Sequence, residues 1–480
     1  MVSPFNILQQ SPHDVDPSEP QTSGSVPRPS KWVPSRYTVR ATTEDGRLIL
    51  WNTFSGSMSA FASDQAENIK ILLRRPGVEG SPEGMLKYLI DKGFMVKEDT
   101  NEYRRLQLAF GQQHYRTDTL ELILLASEDC NFRCTYCYEQ FVRGTMQPRV
   151  REAIKKLITQ RLDGLRFLRV SWFGGEPLYG LPAIEDLGPF FLAHTAEHSV
   201  GYHSTMTTNG YLLTPEVAEK LLAWKITAYQ ITIDGSPEDH DHSRPARDGR
   251  GTFATILANL KALSQRKDDY NVTIRVNYDR QNHSRIDRFL DVVQKEFIHD
   301  SRFKIRFHSV GRWGGPNDEQ LDVCGLDEAT KVKRELEREA LDRGLNIGQG
   351  IKEINRFGAE VCYAARPYNF IIGASGKVMK CTVALDTADY NVVGEINDDG
   401  ELKLDQDKMA LWTEPAFETD VKCQKCVVVP ICQGTHCPLV RIEENRSPCT
   451  PIRLNLKPKL LQTYDLLQGQ AHKRSVTLTT

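Results

Sequence analysis

The chain has 480 residues, which exceeds one ordinary domain, so two or three domains are expected. Its composition, 40% hydrophobic and 26% charged, is typical of a globular protein with a sizeable core. The net charge of −2 gives no reason to expect a nucleic-acid partner. No apolar run approaches the ~18 residues of a membrane span, and the N-terminus lacks a signal pattern. We therefore expect a cytoplasmic protein that binds neither nucleic acid nor membrane.

The N-terminal part divides into two segments. Residues 1–34 are rich in proline and serine and are expected to be a disordered tail. Residues 35–115 should form a small module. In it the pattern predicts a β-hairpin turning at Asp45-Gly46, two short helices and a returning strand, over residues 37–51, 64–73, 83–92 and 94–96.

Strands and helices alternate over residues 116–348. The predicted strands are 120–126, 168–172, 203–206, 229–233, 272–277 and 303–308, with amphipathic helices between them and a last helix over 327–343. Six β-α repeats predict a parallel sheet with outer helices. Six units are too few for a closed eight-stranded barrel, so we expect an α/β fold with a partial (β/α)₆ TIM barrel.

Three cysteines, Cys130, Cys134 and Cys137, follow the first of these strands at the spacing C-x₃-C-x₂-C. Three thiolates can hold three irons of a [4Fe–4S] cluster and leave the fourth open. The stretch, with the aromatic Tyr136 before its last cysteine, resembles the radical S-adenosylmethionine (SAM) enzymes. The resemblance implies that the open iron chelates SAM, whose reductive cleavage gives a 5′-deoxyadenosyl radical. A structural zinc site or three unrelated thiols are the alternatives.

The ends of the later strands carry turns that resemble the SAM-binding motifs of that family. Gly174-Gly175-Glu176-Pro177 is similar to the family's GGEP motif, which implies that Glu176 holds the methionine amino group. Two further turns are similar to the T-N-G and S/T-x-D-G motifs, and two polar residues lie on the fifth strand. The implied SAM-binding residues are thus Tyr136, Gly174, Gly175, Glu176, Asn209, Thr232, Asp234, Arg275 and Asn277.

Seven cysteines lie in the segment 349–455, before a C-terminal tail over 456–480. Their order resembles the SPASM domain, which binds two auxiliary [4Fe–4S] clusters. The resemblance implies an outer set and an inner set, respectively Cys423, Cys426, Cys432 and Cys449, and Cys362, Cys381 and Cys437. Between Cys432 and Cys437 this chain has four residues, where the family usually has three. A zinc ribbon over residues 423–437 is the alternative to a cluster site. Two clusters need eight ligands, and this segment has seven cysteines, so the inner cluster is one ligand short. Either one of its irons has no cysteine ligand, or Cys324 supplies the eighth.

The whole pattern resembles peptide maturases of ribosomally synthesised natural products. Residues 35–115 resemble their winged-helix-like leader-binding module, although a scaffold or subunit contact remains an alternative. The resemblance implies three [4Fe–4S] clusters, SAM, a precursor peptide with a leader, and an external low-potential electron donor of flavodoxin or ferredoxin type. Hydrogen abstraction from a core residue would then lead to a thioether or carbon–carbon cross-link.

Two other functions stay open. Sulfatase-maturating enzymes resemble the chain, but they usually place an aspartate directly after the cysteine equivalent to Cys381, where this chain has Thr382. Asp386 is nearby and keeps that alternative open. A peptide-binding scaffold with a vestigial cluster is the non-enzymatic alternative, and the complete cysteine motif argues against it.

Overall fold

The computed structural model describes residues 30–74, 76–141, 143–348, 355–385 and 388–477. Their strands form two three-stranded sheets near the N-terminus and one ten-stranded sheet that spans the rest of the chain. The described strands before the barrel are β1 Lys31–Pro34, β2 Thr38–Thr42, β3 Leu48–Asn52, β4 Met58–Phe61, β5 Val78–Glu79 and β6 Met95–Lys97. The later ones are β7 Thr119–Ser127, β8 Phe167–Gly174, β9 Gly201–Thr208, β10 Ile226–Thr232, β11 Asn271–Tyr278, β12 Phe303–Ser309, β13 Asn369–Ile372, β14 Lys377–Met379, β15 Val392–Ile396 and β16 Leu402–Leu404.

Helices cover both the N-terminal module and the barrel. In the module they are α1 Ser63–Leu72, α2 Gly84–Asp91 and α3 Glu102–His114. Around the barrel they are α4 Pro148–Arg161, α5 Leu181–Glu197, α6 Pro215–Ala223, α7 Pro237–Ser243, α8 Phe253–Ser264, α9 Ile286–Phe297 and α10 Leu326–Asp342. In the C-terminal region they are α11 Gln406–Thr413, α12 Ala416–Thr419, α13 Val421–Gln424, α14 Val429–Cys432, α15 Pro438–Glu444, α16 Pro451–Leu454 and α17 Leu456–Thr477.

The N-terminal module contains the predicted hairpin, β2–β3, and the predicted helices α1 and α2, but it is larger than expected. β1 pairs with β5 and β6, so the expectation of disorder up to residue 34 is wrong for its last residues. Trp32 explains the difference, because its side chain is buried in the module's core and its Nε1 donates to the carbonyl of Gly80. The remainder of the predicted tail, residues 1–29, lies outside the described residues.

The predicted partial barrel is confirmed. Its strands are parallel and follow the order β12-β11-β10-β9-β8-β7, which is the order of six consecutive β-α units. Strand residues alternate between the helix layer and the lumen. In β7, for example, Leu122 and Leu124 pack under the helices, while Ile123 and Leu125 belong to a separate apolar cluster inside the sheet.

The sheet does not end at the first barrel strand. β13 pairs with β7 in parallel, and β14, β15 and β16 follow as antiparallel neighbours. β13 and β14 form a hairpin that extends the barrel sheet rather than a separate unit. The cysteine-rich region is consequently fixed directly beside the strand that leads into the C-x₃-C-x₂-C loop.

The N-terminal module packs on the cysteine-rich region. One face of β2 and β3, including Ile49 and Trp51, joins Val428 and Ile431 in a single apolar cluster with Leu460 and Tyr464 of α17. The segment predicted as a C-terminal tail is thus a helix that closes this cluster. Helix α3, which the sequence reading did not predict, packs Leu106 and Phe110 against Phe417 and Val429.

Among the helices that the structure describes, none combines the length and apolar character required to cross a membrane.

Candidate cluster and SAM site

The three thiols of the C-x₃-C-x₂-C loop lie close together at the carboxyl end of β7. Cys130 is buried, and the loop is anchored by hydrogen bonds from Arg133 N to Pro245 O and from Thr135 N to Ser243 O. Burial is the main cause that raises the pKa of the Cys137 thiol to about 12, and the charge of the nearby Cys134 thiol is the second cause. Burial is also the main cause of the raised pKa of Cys130, followed by the charges of Glu176, Cys134 and Cys137. Such thiols lose their protons only when a metal binds them.

The glycines at the end of β8 allow that strand to approach the cysteine loop. Gly174 has a φ of +123°, and a Cβ there would lie 2.0 Å from the carbonyl oxygen of Ser127. A Cβ on Gly175 would lie 2.6 Å from the carbonyl oxygen of Asp129. Any larger residue would separate the two segments, so the pair of glycines forms a close cradle beside Cys130.

Glu176 connects the ends of two strands. Its carboxylate is fully buried and accepts hydrogen bonds from the amide of Leu178 at 2.9 Å, the hydroxyl of Thr208 at 2.7 Å and the amide of Asn209 at 2.7 Å. Burial raises the pKa of Glu176, and the three donors oppose that shift. These contacts hold the predicted turns of β8 and β9 together. The contact with the SAM amino group stays a prediction.

Asn209 ties the third strand end to the cysteine loop. Its Nδ2 donates to Asn131 Oδ1 at 2.8 Å and lies 3.9 Å from Cys130 Sγ. The structure thus brings the GGEP-like and T-N-G-like turns to the same side of the cluster loop. The resemblance implied that these turns act together on SAM, and their contacts with SAM stay a prediction.

The hydroxyl of Tyr136 is the centre of a buried polar network. It donates to Asp234 Oδ2 at 2.6 Å and accepts from Arg244 Nη1 at 2.7 Å and Asn277 Nδ2 at 2.9 Å. Asp234 also accepts from the hydroxyl of Ser243 at 2.9 Å. The network joins the cysteine loop to the ends of the fourth and fifth strands.

Arg244 is the site residue that sequence reasoning missed. Its guanidinium lies 5.8 Å from the centre of the Phe132 ring, and its Nε is buried without a hydrogen-bond partner. Burial opposes its charge, but the neighbouring Cys134, Tyr136 and Asp234 keep the pKa of Arg244 raised. Residues 240–245 resemble the loop that follows the fourth strand in the radical SAM enzymes, and this resemblance is the signal that could have found Arg244.

The two remaining predicted residues lie side by side on adjacent strands. Thr232 pairs with Arg275 in the register of β10 and β11, and Arg275 Nε donates to Asn277 Oδ1 at 2.8 Å. Burial lowers the pKa of Arg275. His240, in contrast, is used inside its own loop, because its ring contacts the amide of Asp234 and the hydroxyl of Thr252.

The C-terminal thiols lie in two neighbourhoods, and their role as ligands of two auxiliary clusters stays a prediction. The charges of Cys381 and Cys437 raise the pKa of the Cys362 thiol, secondary to burial. The charges of Cys426, Cys423 and Cys449 likewise raise the pKa of the Cys432 thiol, again secondary to burial. Cys324 is elsewhere, beside Glu328 and Arg280. Among the described residues, no group of three or more His, Cys, Asp or Glu side chains is placed as the ligands of a single metal ion would be.

The residue after Cys381 is held by a tyrosine. Thr382 Oγ1 lies 2.7 Å from Tyr363 Oη, and the Thr382 amide donates to the same oxygen at 2.9 Å. At the position where sulfatase maturases carry an aspartate, this chain therefore has the uncharged Thr382, which is hydrogen-bonded to Tyr363. Asp386 lies outside the described residues.

A family model described as the radical SAM superfamily matches residues 124–293. The chain is 29% identical over 192 residues to a cysteine-type anaerobic sulfatase-maturating enzyme of Clostridium novyi, covering 38% of this chain and 49% of that protein. It is 31% identical over 162 residues to the mycofactocin maturase MftC of Mycolicibacterium smegmatis, covering 33% of this chain and 38% of that protein. The chain thus spans less than half the length of these two curated relatives.

A solved structure of anSMEcpe with bound AdoMet and the Cp18Cys peptide has the same fold. The TM-score is 0.54 at 19% identity, over 74% of this chain and 99% of that chain. The matched family implies a [4Fe–4S] cluster and SAM, and the grouped thiols of the loop and the glycine cradle beside them fit both. Residues 124–293 therefore match the radical SAM superfamily in sequence, and the barrel that contains them has the fold of that solved structure.

Proposed function

We propose that the chain is a peptide maturase that cleaves SAM reductively and abstracts a hydrogen from a core residue of a ribosomal precursor peptide, forming a thioether or carbon–carbon cross-link. The observation that carries the proposal is the placement of three separate thiol sets, one at the barrel mouth and two in a region fused to the barrel sheet through β13 and β7. In this proposal they bind three [4Fe–4S] clusters, held by Cys130, Cys134 and Cys137, by Cys362, Cys381 and Cys437, and by Cys423, Cys426, Cys432 and Cys449.

The bound cluster and SAM would supply a 5′-deoxyadenosyl radical. The chain's own residues would position SAM and exclude water. Glu176 would keep the turns of β8 and β9 in register, and the carboxylate of Asp234 would hold Tyr136 against the cluster loop. Arg275 and Asn277, which face the lumen on β11, would meet the polar end of SAM.

Two observations support a peptide substrate. The curated relatives are named as maturases of sulfatases and of mycofactocin. In addition, the sheet of the N-terminal module ends in an edge strand, β4, whose outer side has no strand partner among the described residues. A free edge of this kind can take up an extended peptide as a further strand. We propose that the leader of the precursor binds along β4.

The alternative of a sulfatase-maturating enzyme is favoured by the curated relatives. It is disfavoured by Thr382, because a hydroxyl bonded to Tyr363 cannot replace an ionised carboxylate as a base at neutral pH. An external low-potential protein of flavodoxin or ferredoxin type would supply the electron in either case.

The test is reconstitution with iron and sulfide without oxygen, followed by reduction in the presence of SAM. We expect about twelve irons per chain and formation of 5′-deoxyadenosine. Changing Cys130, Cys134 and Cys137 together to alanine should remove about four irons and all SAM cleavage. Retained cleavage in that variant would refute the proposal. The Cys324→Ala variant, which removes a thiol outside all three sets, is the matched control and should behave like the unchanged protein.

A further inference from the structure

A lysine side chain is completely buried beside the inner thiol set. Lys380 lies between the end of β14 and Cys381, and its exposed fraction is 0%. Its Nζ donates to the carbonyl oxygens of Arg366 and Asn369, both at 2.6 Å. The same atom lies 5.3 Å from the centre of the Phe370 ring, which is within the range of a cation–π contact. These acceptors are all uncharged, so they hold an ammonium group without neutralising it.

Among the described residues, Lys380 forms no ion pair with a carboxylate. The carboxylate that acts on it, Glu121, accepts from Arg169 at 2.7 Å and from Arg366 at 3.0 Å. It also accepts from the side-chain amide of Asn369 at 3.0 Å. Glu121 therefore already faces two guanidinium groups. A buried charge is costly unless a charge of opposite sign lies beside it, so the ammonium of Lys380 requires a further anion.

The thiols of the inner set are placed to provide that anion. Lys380 directly precedes Cys381, and its acceptor Arg366 comes shortly after Cys362, beyond the turn at residues 363–365. One ammonium group therefore ties together the segments that carry two of the three thiols. Burial lowers the pKa of Lys380, while negative charge on the Cys362 thiol raises it. The chain thus presents a buried cation to thiols that become anionic when they bind a metal.

A cation in this position changes the energy of the cluster that those thiols would hold. Three thiolates give an oxidised [4Fe–4S] cluster a net negative charge, and reduction adds one electron to it. A nearby positive charge attracts the more negative, reduced form more strongly, and the effect is largest where water is excluded. Because net charge is one of the properties that set the reduction potential of a cluster, a buried lysine should raise that potential.

We propose that Lys380 is the counter-charge of the inner cluster and that it raises the reduction potential of this cluster. The inference rests on the proposed function, which assigns a cluster to the inner thiol set. A purely structural role would need only a neutral donor to the carbonyls of Arg366 and Asn369, since an uncharged side chain avoids the cost of a buried charge. The order of the potentials decides which cluster holds an electron when only one electron is available.

The test is a redox titration of the protein reconstituted with iron and sulfide, followed by electron paramagnetic resonance of the reduced clusters. The signal of the inner cluster is the one that disappears in Cys381→Ala. Two variants remove the charge of Lys380, because Lys380→Met keeps the length of the side chain and Lys380→Gln keeps a hydrogen-bond donor. The matched control, Lys403→Gln, removes one positive charge from an exposed position of β16 in the same sheet.

We expect both Lys380 variants to keep the iron content and to lower the potential of the inner cluster alone. At a fixed ambient potential, the ratio of its reduced to its oxidised form should fall about ten-fold, which corresponds to about 59 mV for one electron. The signals of the other two clusters should keep their potentials. Lys403→Gln should leave all three potentials unchanged, because an exposed charge is screened by water and salt.

An unchanged potential in both Lys380 variants would overturn the inference. A shift in Lys380→Met that is absent in Lys380→Gln would also overturn it, because that pattern would assign the effect to the lost hydrogen bonds. Loss of about four irons in both variants would do the same, since Lys380 would then be needed to build the site rather than to tune it.

Failure of the proposed function gives a different result. A protein that binds about twelve irons and shows an unmoved potential in both variants contradicts only this inference. If Cys381→Ala instead loses neither iron nor a signal, the inner cluster does not exist, and the proposed function is contradicted together with this inference.

Discussion

The phenolic hydroxyl of Tyr136 donates a hydrogen bond of 2.6 Å to Asp234, 98 residues further along the chain. It joins the loop that precedes the last cysteine of the cluster motif to the end of the fourth barrel strand. Arg244 and Asn277 donate to the same oxygen, so one hydroxyl connects four segments of the site.

Removing that hydroxyl should therefore affect SAM more than iron. In Tyr136→Phe the three thiols remain, but Asp234, Arg244 and Asn277 each lose a partner, at a cost of roughly 1–3 kcal/mol. We expect unchanged iron content and a SAM dissociation constant raised about ten-fold or more. Equilibrium dialysis with SAM measures it. Tyr229→Phe is the control, because its hydroxyl bonds to the carbonyl of Ile226 within the helix-facing side of the same sheet.

Loss of iron in Tyr136→Phe, or an unchanged affinity for SAM, would contradict this assignment. The first result would make the network part of the cluster site itself. The second would show that the ring alone determines the contact with SAM.

The sequence contained most of this site and little of what surrounds it. Cys130, Gly174 and Asn209 belong to short motifs at strand ends, and strand order is enough to bring them together in a parallel sheet. Arg244 could not be assigned a role, because its partners are set by tertiary packing. The same holds for β13, which pairs with β7 across about 250 residues, and no local period encodes such a pairing.

The N-terminal module illustrates the same limit. From the sequence alone, deleting residues 36–100 should abolish substrate binding and spare abortive SAM cleavage. In the structure, Ile49 and Trp51 pack on Val428 and Ile431, and Thr53 Oγ1 donates to the carbonyl of Val427 at 2.5 Å. The deletion would expose the apolar base of the outer thiol set, so we now expect it to lose about four irons as well.

A point variant separates leader binding from this structural role. In the antiparallel pair β3–β4 the amide of Asn52 bonds to Ser57, so alternation points the N–H of Ala60 away from β3. Ala60→Pro should remove an outward donor from the free edge and weaken binding of the precursor peptide, while iron content stays unchanged. Ser59→Pro, which breaks the ladder itself, is the comparison. Unchanged peptide affinity in Ala60→Pro would place the leader elsewhere.

The free energy of unfolding should also depend on pH, through a buried histidine of helix α3 in the N-terminal module. His114 is buried, stacks on Phe110 with ring centres 4.4 Å apart, and has its pKa lowered to about 4, mainly by burial. The unfolded chain therefore binds more protons than the folded one between about pH 4 and 6.5. The apparent free energy of unfolding should fall as the pH falls through this window, by up to about 1.4 kcal/mol per unit from this residue.

Denaturant titrations at several pH values measure that slope. His114→Phe keeps the ring contact but cannot be protonated, so part of the slope should disappear, whereas the exposed His299→Phe should keep it. An identical slope in His114→Phe would mean that other groups dominate the dependence.

The last prediction concerns the inner thiol set, which has three cysteines where a fully ligated cluster needs four. Cys324 is the remaining candidate for the fourth ligand. The groups that act on its thiol are Glu328, Arg280, Asp279 and Asp322, and no cysteine of the inner set is among them. We therefore expect Cys324→Ala to leave iron content and the spectra of all clusters unchanged. Cys381→Ala, its matched partner, should lose about four irons.

An inner cluster with one iron free of cysteine could bind a substrate thiolate, since metal coordination deprotonates a thiol. Addition of a small thiol such as cysteamine should then alter the spectrum of that cluster alone, and loss of a cluster in Cys324→Ala would instead identify Cys324 as the eighth ligand.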